Sequence, residues 1–542
     1  MRQSLTPQLT LPRRADGRVF NMVTPLLDRH VEEGRGERPA LRLDGRIVSY
    51  RELQDLANRA GNTLRVSGVE PEQRVALLLP DGVEFVAAFR GAMKIGAVPL
   101  PLNTLAPPAD LAYFLGDSRA RALVCTPDLA RSGLRPEPSP LDTHKVTAGE
   151  CLQLKSILVV GDAAALDHPL ARPYAAALEA ASSELEAFPT GVDEPSYWLY
   201  SSGTTGRPKG TVHLHGDMLA CTTPYAEQVV SITPDDVTFS VARLFFSYGL
   251  VNSLYLPLLA GASVVLTPDR PDPGRVLDVL RRHRPSLFFS VPTSYAALCA
   301  ALEGGENRDR PFSCLRLAVS AGEPLPAPLY QRWVDLTGVE LLDGIGSTEV
   351  GYIYCSNLPG RVRPGSSGMF IGDHRGRIVD EQGRVVATDE PGELWVRADS
   401  TALHYWNRRA RSKATFVGEW LRTGDRYRLD ADGFYWYLGR TDDIFKVSGQ
   451  WVSPLEVESC LLEHPAVLEC AVVGQADEAD LLKPKAYVVR RPGVEVDAAE
   501  LQAHVKTRLQ PHKYPRWIIF VDQLPKTATG KVQRYKLRSP ES

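Results

Sequence analysis

Three consecutive segments, residues 75–79, 83–95 and 97–102, constrain the fold of this chain more than any other feature. VALLL is a short apolar run, VEFVAAFRGAMKI is long enough for a buried helix, and AVPLPL is apolar again, with Gly96 at the turn. The pattern predicts a βαβ unit. A weaker echo follows: an apolar helix over residues 251–259, then AGASVVL as turn and strand. Further short strands are predicted at residues 287–291, 315–320 and 339–342. Each ends where small or acidic residues begin, at VPTS, SAGEP and DGIGSTE. Parallel α/β sheets bind ligands at the carboxyl ends of their strands, so these ends are candidate site walls.

A length of 542 residues exceeds one ordinary core, and at least two domains are expected. After Gly439 the texture changes. RTDDIFKVSGQ is polar and charged, and a compact α+β pattern follows: a helix over residues 454–463, strands near Ala471 and Ala486, a helix near Gln502 and a strand over residues 517–521. The domain boundary is therefore placed between Gly439 and Asp443. Residues 130–150, rich in proline and polar side chains, read as a surface excursion.

With 44% hydrophobic residues, 23% charged residues and a net charge of −3, the composition is that of a soluble globular protein, without the basic excess of a nucleic-acid binder. The eight cysteines are scattered and form no CxxC pair, which fits reduced thiols in a cytoplasm. The first fourteen residues lack the apolar run of a signal peptide. Residues 244–268 carry no charge, but Ser247, Asn252, Pro257 and Gly261 interrupt them. A buried helix followed by a buried strand is expected there, not a membrane span. The expected location is cytoplasmic, with neither nucleic acid nor membrane as partner.

The stretch YSSGTTGRPKG, residues 200–210, concentrates glycines, hydroxyls and two cations. Backbone N–H groups and hydroxyls of such a loop converge on phosphate oxygens, glycine permits the tight turns, and Lys209 or Arg207 supplies positive charge. A Walker A loop requires Gly-Lys-Ser/Thr, whereas Lys209 is followed by Gly210 and Lys531 by Val532. A P-loop kinase or ATPase is disfavoured. HLH at residues 213–215 places two histidines on one face of a strand with no third ligand near, so a packed or hydrogen-bonded pair is expected rather than a metal site.

YSSGTTGRPKG, GSTE (346–349), RTGD (422–425), GRTDDIFKVSG (439–449) and PKTATGKVQR (525–534) occur in this order. Together they resemble the adenylate-forming superfamily of acyl-CoA synthetases, peptide-synthetase adenylation domains and luciferases. The resemblance implies an α/β fold: a large N-terminal domain of doubly wound sheets (residues 1–440) and a small mobile α+β C-terminal domain (441–542), hinged near Asp442. It implies nucleotide binding by Ser201, Ser202, Gly203, Thr204, Thr205, Lys209, Asp343, Gly344, Ile345, Thr348, Asp425, Arg440 and Lys531. Thr204 and Thr205 match the positions that hold the β- and γ-phosphates, and Glu349 matches, with Thr205, the holder of Mg²⁺. Asp343 matches the adenine-amino contact, and Asp425 and Arg440 match the ribose contacts. Ile345 replaces the aromatic residue that many relatives set against adenine, so apolar packing is expected there. Lys531 matches the catalytic lysine that bridges the carboxylate and the α-phosphate; Glu349 and Thr205 complete the catalytic set. The implied reaction joins a carboxylate and MgATP into an acyl-adenylate and pyrophosphate, after which a thiol displaces AMP. Lys446, Ser448, Gly449 and Trp451 are implied contacts for CoA.

Within the superfamily, LFFSYGL (244–250), SAGEPLP (320–326), DGIGSTE (343–349) and KVSGQWVSP (446–454) look most like benzoate–CoA ligases. A pocket of Phe246, Ser247, Tyr248, Ala321, Gly322, Ile345, Gly346 and Tyr352 suits one aromatic ring and excludes a long acyl chain. Two residues depart from the usual pattern: Ser247 stands where alanine is common, and Tyr352 stands where a histidine is usual. A serine hydroxyl beside the ring suggests a benzoate with a small polar substituent, 2-aminobenzoate first, then hydroxybenzoate. The alternative has Ser247 bonded to its own backbone and plain benzoate as substrate. CoA is the expected acceptor, since no carrier-protein domain follows Ser542. Two other readings are a free-standing adenylation enzyme loading a carrier protein and a non-catalytic nucleotide-binding relative. The retention of Glu349, Asp425 and Lys531 argues against the latter. Dimers are common among similar enzymes, so a homodimer is the arrangement the resemblance suggests.

Overall fold

A computed structural model describes residues 19–134, 153–166, 168–201, 207–269, 272–304, 312–441, 443, 445–447, 450–478, 481–491, 493–526 and 532–538. The expected βαβ unit is present as strand Arg74–Leu78, helix Val83–Lys94 and strand Val98–Pro101. It belongs to a parallel five-stranded sheet in the order Val98–Pro101, Arg74–Leu78, Ala122–Cys125, Ser156–Val159, Ala171–Pro173.

The second sheet has nine strands. Its parallel centre runs Leu341–Gly346, Leu317–Ser320, Leu287–Ser290, Val237–Ser240, Ser263–Val265, Pro39–Leu43. The main core lies between these two sheets. Val75 and Leu77 from one meet Phe289, Val319 and Leu342 from the other through helices Tyr50–Val66 and Val83–Lys94. Those helices cross closely because a Cβ at Gly91 would lie 2.5 Å from the Gly61 nitrogen. Separate apolar clusters cover the outer faces of both sheets, as strands that are apolar on both sides require.

The three predicted site walls are neighbours. Ser290, Ser320 and Asp343 sit in one register row at the carboxyl ends of adjacent parallel strands. The last of these strands runs on to Gly346, beyond the expected end at Leu342, because Gly344–Gly346 pair antiparallel with Ile353–Ser356. Residues 244–268 fold as expected, with helical turns from Ser247 to Ala260 and then strand Ser263–Val265. Among the described residues no helix is long and apolar enough to cross a membrane. The turn Val251–Tyr255 is wound wider than an α-helix; Pro257, just beyond it, has no N–H for a regular i→i−4 bond.

The expected surface excursion from residue 130 is corrected in part: helix Pro127–Leu134 occupies its start, and residues 135–150 lie outside the described set. An antiparallel sheet built from Arg375–Val379, Gly392–Arg397, Trp420–Leu429, Phe416–Val417 and Tyr435–Arg440 was not anticipated. Further on, helices Pro454–Leu462 and Ala498–Lys506 pack with the sheet Val467–Ala476, Leu482–Arg490, Trp517–Phe520 around a core of their own. The result is the expected α/β fold, a large N-terminal domain with a small C-terminal one. The seven cysteines among the described residues are free.

Candidate active site

The hairpin Pro195–Ser201/Lys209–Leu214 pairs Ser201 with Lys209 and so brackets the glycine- and hydroxyl-rich loop. Ser202, Gly203, Thr204 and Thr205 lie outside the described residues, as do Asp442, Ser448, Gly449 and Lys531; of Trp451 only the strand is described. The Ser201 hydroxyl is buried and, among the described residues, has no hydrogen-bond partner.

Lys209 points back towards GSTE. Its Nζ lies 3.8 Å from Glu349 Oε1 and 4.2 Å from the centre of the Tyr405 ring. Tyr405 donates its hydroxyl to the same Glu349 oxygen at 2.7 Å. The strand His404–Tyr405 pairs with Lys209–Leu214, which places the tyrosine beside the loop. Burial lowers the ammonium pKa of Lys209 and the Glu349 charge works against that shift; burial and Glu349 both raise the Tyr405 phenol. Oxygen donors suit a hard divalent cation, and Glu349, held in place by a neighbour, fits one.

The Thr348 carbonyl accepts from His213 Nε2 at 2.7 Å, and His213 Nδ1 lies 3.1 Å from buried Asp217. His215 Nδ1 accepts from the Met22 backbone N–H at 3.1 Å. The two histidines are thus packed and hydrogen-bonded, as expected, and the first supports the GSTE loop. The Asp343 carboxyl accepts from the Leu325 N–H at 3.4 Å through Oδ2, while Oδ1 is buried with no partner among the described residues. Burial holds its pKa well above the ordinary carboxylate range. An N–H donor on a ligand would satisfy that oxygen.

Arg440 donates to Asp425 Oδ1 at 3.0 Å and to the Thr423 carbonyl at 2.9 Å. Gly424 between them has φ +71°, a left-handed conformation that favours glycine. Lys446 is exposed on the hairpin Phe445–Val447/Gln450–Val452, in register with Trp451.

The aryl candidates divide between two apolar clusters. Ala321, Tyr352 and Tyr248 belong to or pack on that core. Phe246 lies against Phe245, with ring centres 4.4 Å apart. Ser247 donates to the Gly351 carbonyl. Tyr248 donates towards the Ser290 and Val319 carbonyls at 3.3 and 3.2 Å. Gly322 has φ +92°. Gly344 and Gly346 face the strand Ile353–Ser356 too closely for side chains, with the Tyr352 carbonyl 2.5 Å from a Cβ at Gly346. Ile345 packs against an apolar cluster on the neighbouring sheet.

Residues 27–406 match the family described as AMP-binding enzyme, and residues 456–531 match its AMP-binding enzyme C-terminal domain. The chain belongs to the AMP-binding enzyme family. This AMP-binding enzyme is 44% identical to the benzoate–CoA ligase of Thauera aromatica over 98% of its own length and 97% of the relative's. It is also 44% identical to the 4-hydroxybenzoate–CoA/benzoate–CoA ligase of Rhodopseudomonas palustris, covering 96% and 94%. Among solved structures, an anthranilate CoA ligase in complex with anthranoyl-AMP aligns with a TM-score of 0.89 and 39% identity over 96% of each chain.

Two residues of this AMP-binding enzyme escaped the sequence reading. Tyr405, on Glu349, is marked by nothing local, since its partner lies 56 positions away. Asn252 is wholly buried and accepts the Tyr352 hydroxyl. A polar residue in an otherwise apolar helix was its one available signal.

Proposed function

We propose that this protein is an AMP-forming aryl-CoA ligase acting on a benzoate-type acid, with 2-aminobenzoate its preferred substrate. The likeness to benzoate–CoA ligases, sustained over nearly the whole of both chains, supports the ligase reading. The substituent reading rests on Ser247. Its hydroxyl hydrogen is committed to the Gly351 carbonyl, which leaves its oxygen as an acceptor. An amino group on the ring donates to such an oxygen; bare benzoate has nothing to offer it.

In the first half-reaction a carboxylate oxygen of the acid attacks the α-phosphorus of ATP and pyrophosphate leaves. Lys531 bridges the two approaching anions and lowers that barrier electrostatically. Asp343 receives the adenine amino group, Asp425 receives the ribose hydroxyls with Arg440 beside it, and the loop of Ser202, Gly203, Thr204 and Thr205 cradles the phosphates with Lys209. Glu349 and Thr205 would hold Mg²⁺, which would supply positive charge against the phosphates. In the second half-reaction the CoA thiol attacks the acyl carbonyl, the C–O bond to AMP breaks, and AMP leaves. The hairpin bearing Lys446 and Trp451 lines the thiol's approach once the C-terminal domain, residues 441–542, has turned about Asp442.

The test is CoA-dependent AMP release with benzoate, the three aminobenzoates, the three hydroxybenzoates and a medium-chain fatty acid. The expected order is 2-aminobenzoate, then hydroxybenzoate and benzoate, with no turnover of the fatty acid. Turnover of benzoate equal to or above that of every substituted ring would remove the substituent reading. Transfer to a carrier protein's phosphopantetheine but not to CoA would replace the acceptor.

A further inference from the structure

The segment that follows GSTE is tied twice to the helical turns that begin at Ser247. Ser247 donates to the Gly351 carbonyl, and the next residue, Tyr352, donates its hydroxyl to Asn252 Oδ1. Asn252 is itself held on both sides. Its amide nitrogen reaches Ser240 Oγ at 3.4 Å, and its carbonyl accepts from Thr238 Oγ1 at 3.3 Å. It sits on the wide turn Val251–Tyr255, where Arg90 also donates to the Leu254 carbonyl at 2.8 Å. The Tyr352 ring has two aromatic neighbours. Tyr225 meets it edge-on at 4.9 Å, and Tyr248 lies nearly parallel to it at 6.4 Å.

On the reading of the preceding subsection, the carboxylate of the acid must face the nucleotide, so the remote edge of its ring faces the most buried part of the pocket. Tyr352 is 2% exposed and Asn252 0%, so on the same reading this buried pair forms that end. We propose that Asn252 is a positioning residue for substrate selection: by accepting the Tyr352 hydroxyl, it fixes the ring as the inner wall that limits substituents opposite the carboxylate. The proposal rests on the aryl-ligase reading and adds to it a determinant that touches no substrate atom. A tyrosine tethered in this way is a rigid stop, whereas an untethered ring yields to an added methyl group.

The experiment compares kcat/KM for 4-methylbenzoate and benzoate in the full-length enzyme and in its Asn252→Leu, Tyr352→Phe and doubly substituted forms, with thermal melting and the KM for ATP measured alongside. Both single variants are expected to raise the 4-methylbenzoate-to-benzoate ratio about tenfold, the scale on which a hydrophobic pocket resolves one methyl group. The ratio in the double variant should match that in the singles, because the Tyr352–Asn252 bond is already lost in each, and the KM for ATP should stay within about twofold. Tyr352→Phe keeps the ring and carries the test even where Asn252→Leu folds poorly. An unchanged ratio in Tyr352→Phe with normal turnover of benzoate overturns the proposal alone. Failure of the unmodified enzyme to activate any benzoate overturns it together with the ligase reading.

Discussion

Glu349 is the proposed metal-binding carboxylate, and its position is set by a residue outside every quoted motif. Lys209 at 3.8 Å is too distant to fix it by a hydrogen bond, whereas the Tyr405 hydroxyl at 2.7 Å does so directly. Without that hydroxyl Glu349 is free to close on Lys209, trading a metal ligand for an ion pair. Tyr405→Phe should therefore raise the Mg²⁺ concentration needed for half-maximal ATP–pyrophosphate exchange about tenfold, as is usual when a ligand loses its supporting hydrogen bond. Its Mn²⁺ affinity should weaken in parallel, while thioester formation from supplied aryl-AMP should not change. An unaltered metal requirement would reduce Tyr405 to packing. Ser247 makes a second prediction at this scale. Ser247→Ala removes the bond to Gly351 and, on the proposed reading, the acceptor beside the ring. Turnover of 2-aminobenzoate should fall about tenfold more than that of benzoate, the worth of one hydrogen bond to a ligand. An equal fall for the two acids would show that the serine serves only the backbone.

The helical turns Ser247–Ala260 depend on a tight entry. A Cβ at Gly249 would lie 2.1 Å from the Arg243 carbonyl and 2.4 Å from that of Ala242, both backbone atoms that cannot swing aside. Gly249→Ala should displace Phe246, Ser247 and Tyr248 together, with a loss of a few kcal/mol typical of forced overpacking, read as a lowered melting temperature and loss of aryl-acid turnover. A normal melting temperature with normal turnover would mean that the entry is softer than its geometry. This element also marks how far the sequence was legible. Apolar runs with clear periodicity, such as helix Val83–Lys94 and strand Leu287–Ser290, were read to within about a residue or two. The sheet holding Arg375–Val379 and Trp420–Leu429 was not, because its strands are half-exposed and mix charge with apolar residues. The site divides in the same way. Lys209, Glu349, Asp343 and Asp425 sit in local motifs with a chemical rationale. Tyr405 and Asn252 act across 56 and 100 positions, where spacing carries no signal.

At the scale of the molecule, the proposed mechanism requires one lysine to serve the first half-reaction and then withdraw. Asp443, one residue past the proposed hinge, is bonded by Arg538 and lies 4.0 Å from Arg534. Arg534 is in turn doubly bonded to buried Glu458 on helix Pro454–Leu462, at 2.7 and 2.9 Å. On the other side of residues 527–531, Lys526 pairs with Glu469 at 2.8 Å and bridges to Val532. The ends of the segment carrying Lys531 are thus fastened to the same small domain that begins beyond Asp442. On the proposed hinge at Asp442, the described residues that flank 527–531 would turn with the small domain to which they are bonded. Two substitutions should then give opposite defects. Lys531→Ala should abolish pyrophosphate exchange yet largely spare thioester formation from supplied aryl-AMP, because in the proposed mechanism its charge acts only at the α-phosphate. Asp442→Pro fixes φ at the pivot; it should largely retain adenylate formation and lose thioester formation. Separate assays of the two half-reactions distinguish these cases. Loss of both halves to the same degree in either variant would mean that the C-terminal domain serves a single fixed state, and the alternation would fall with it.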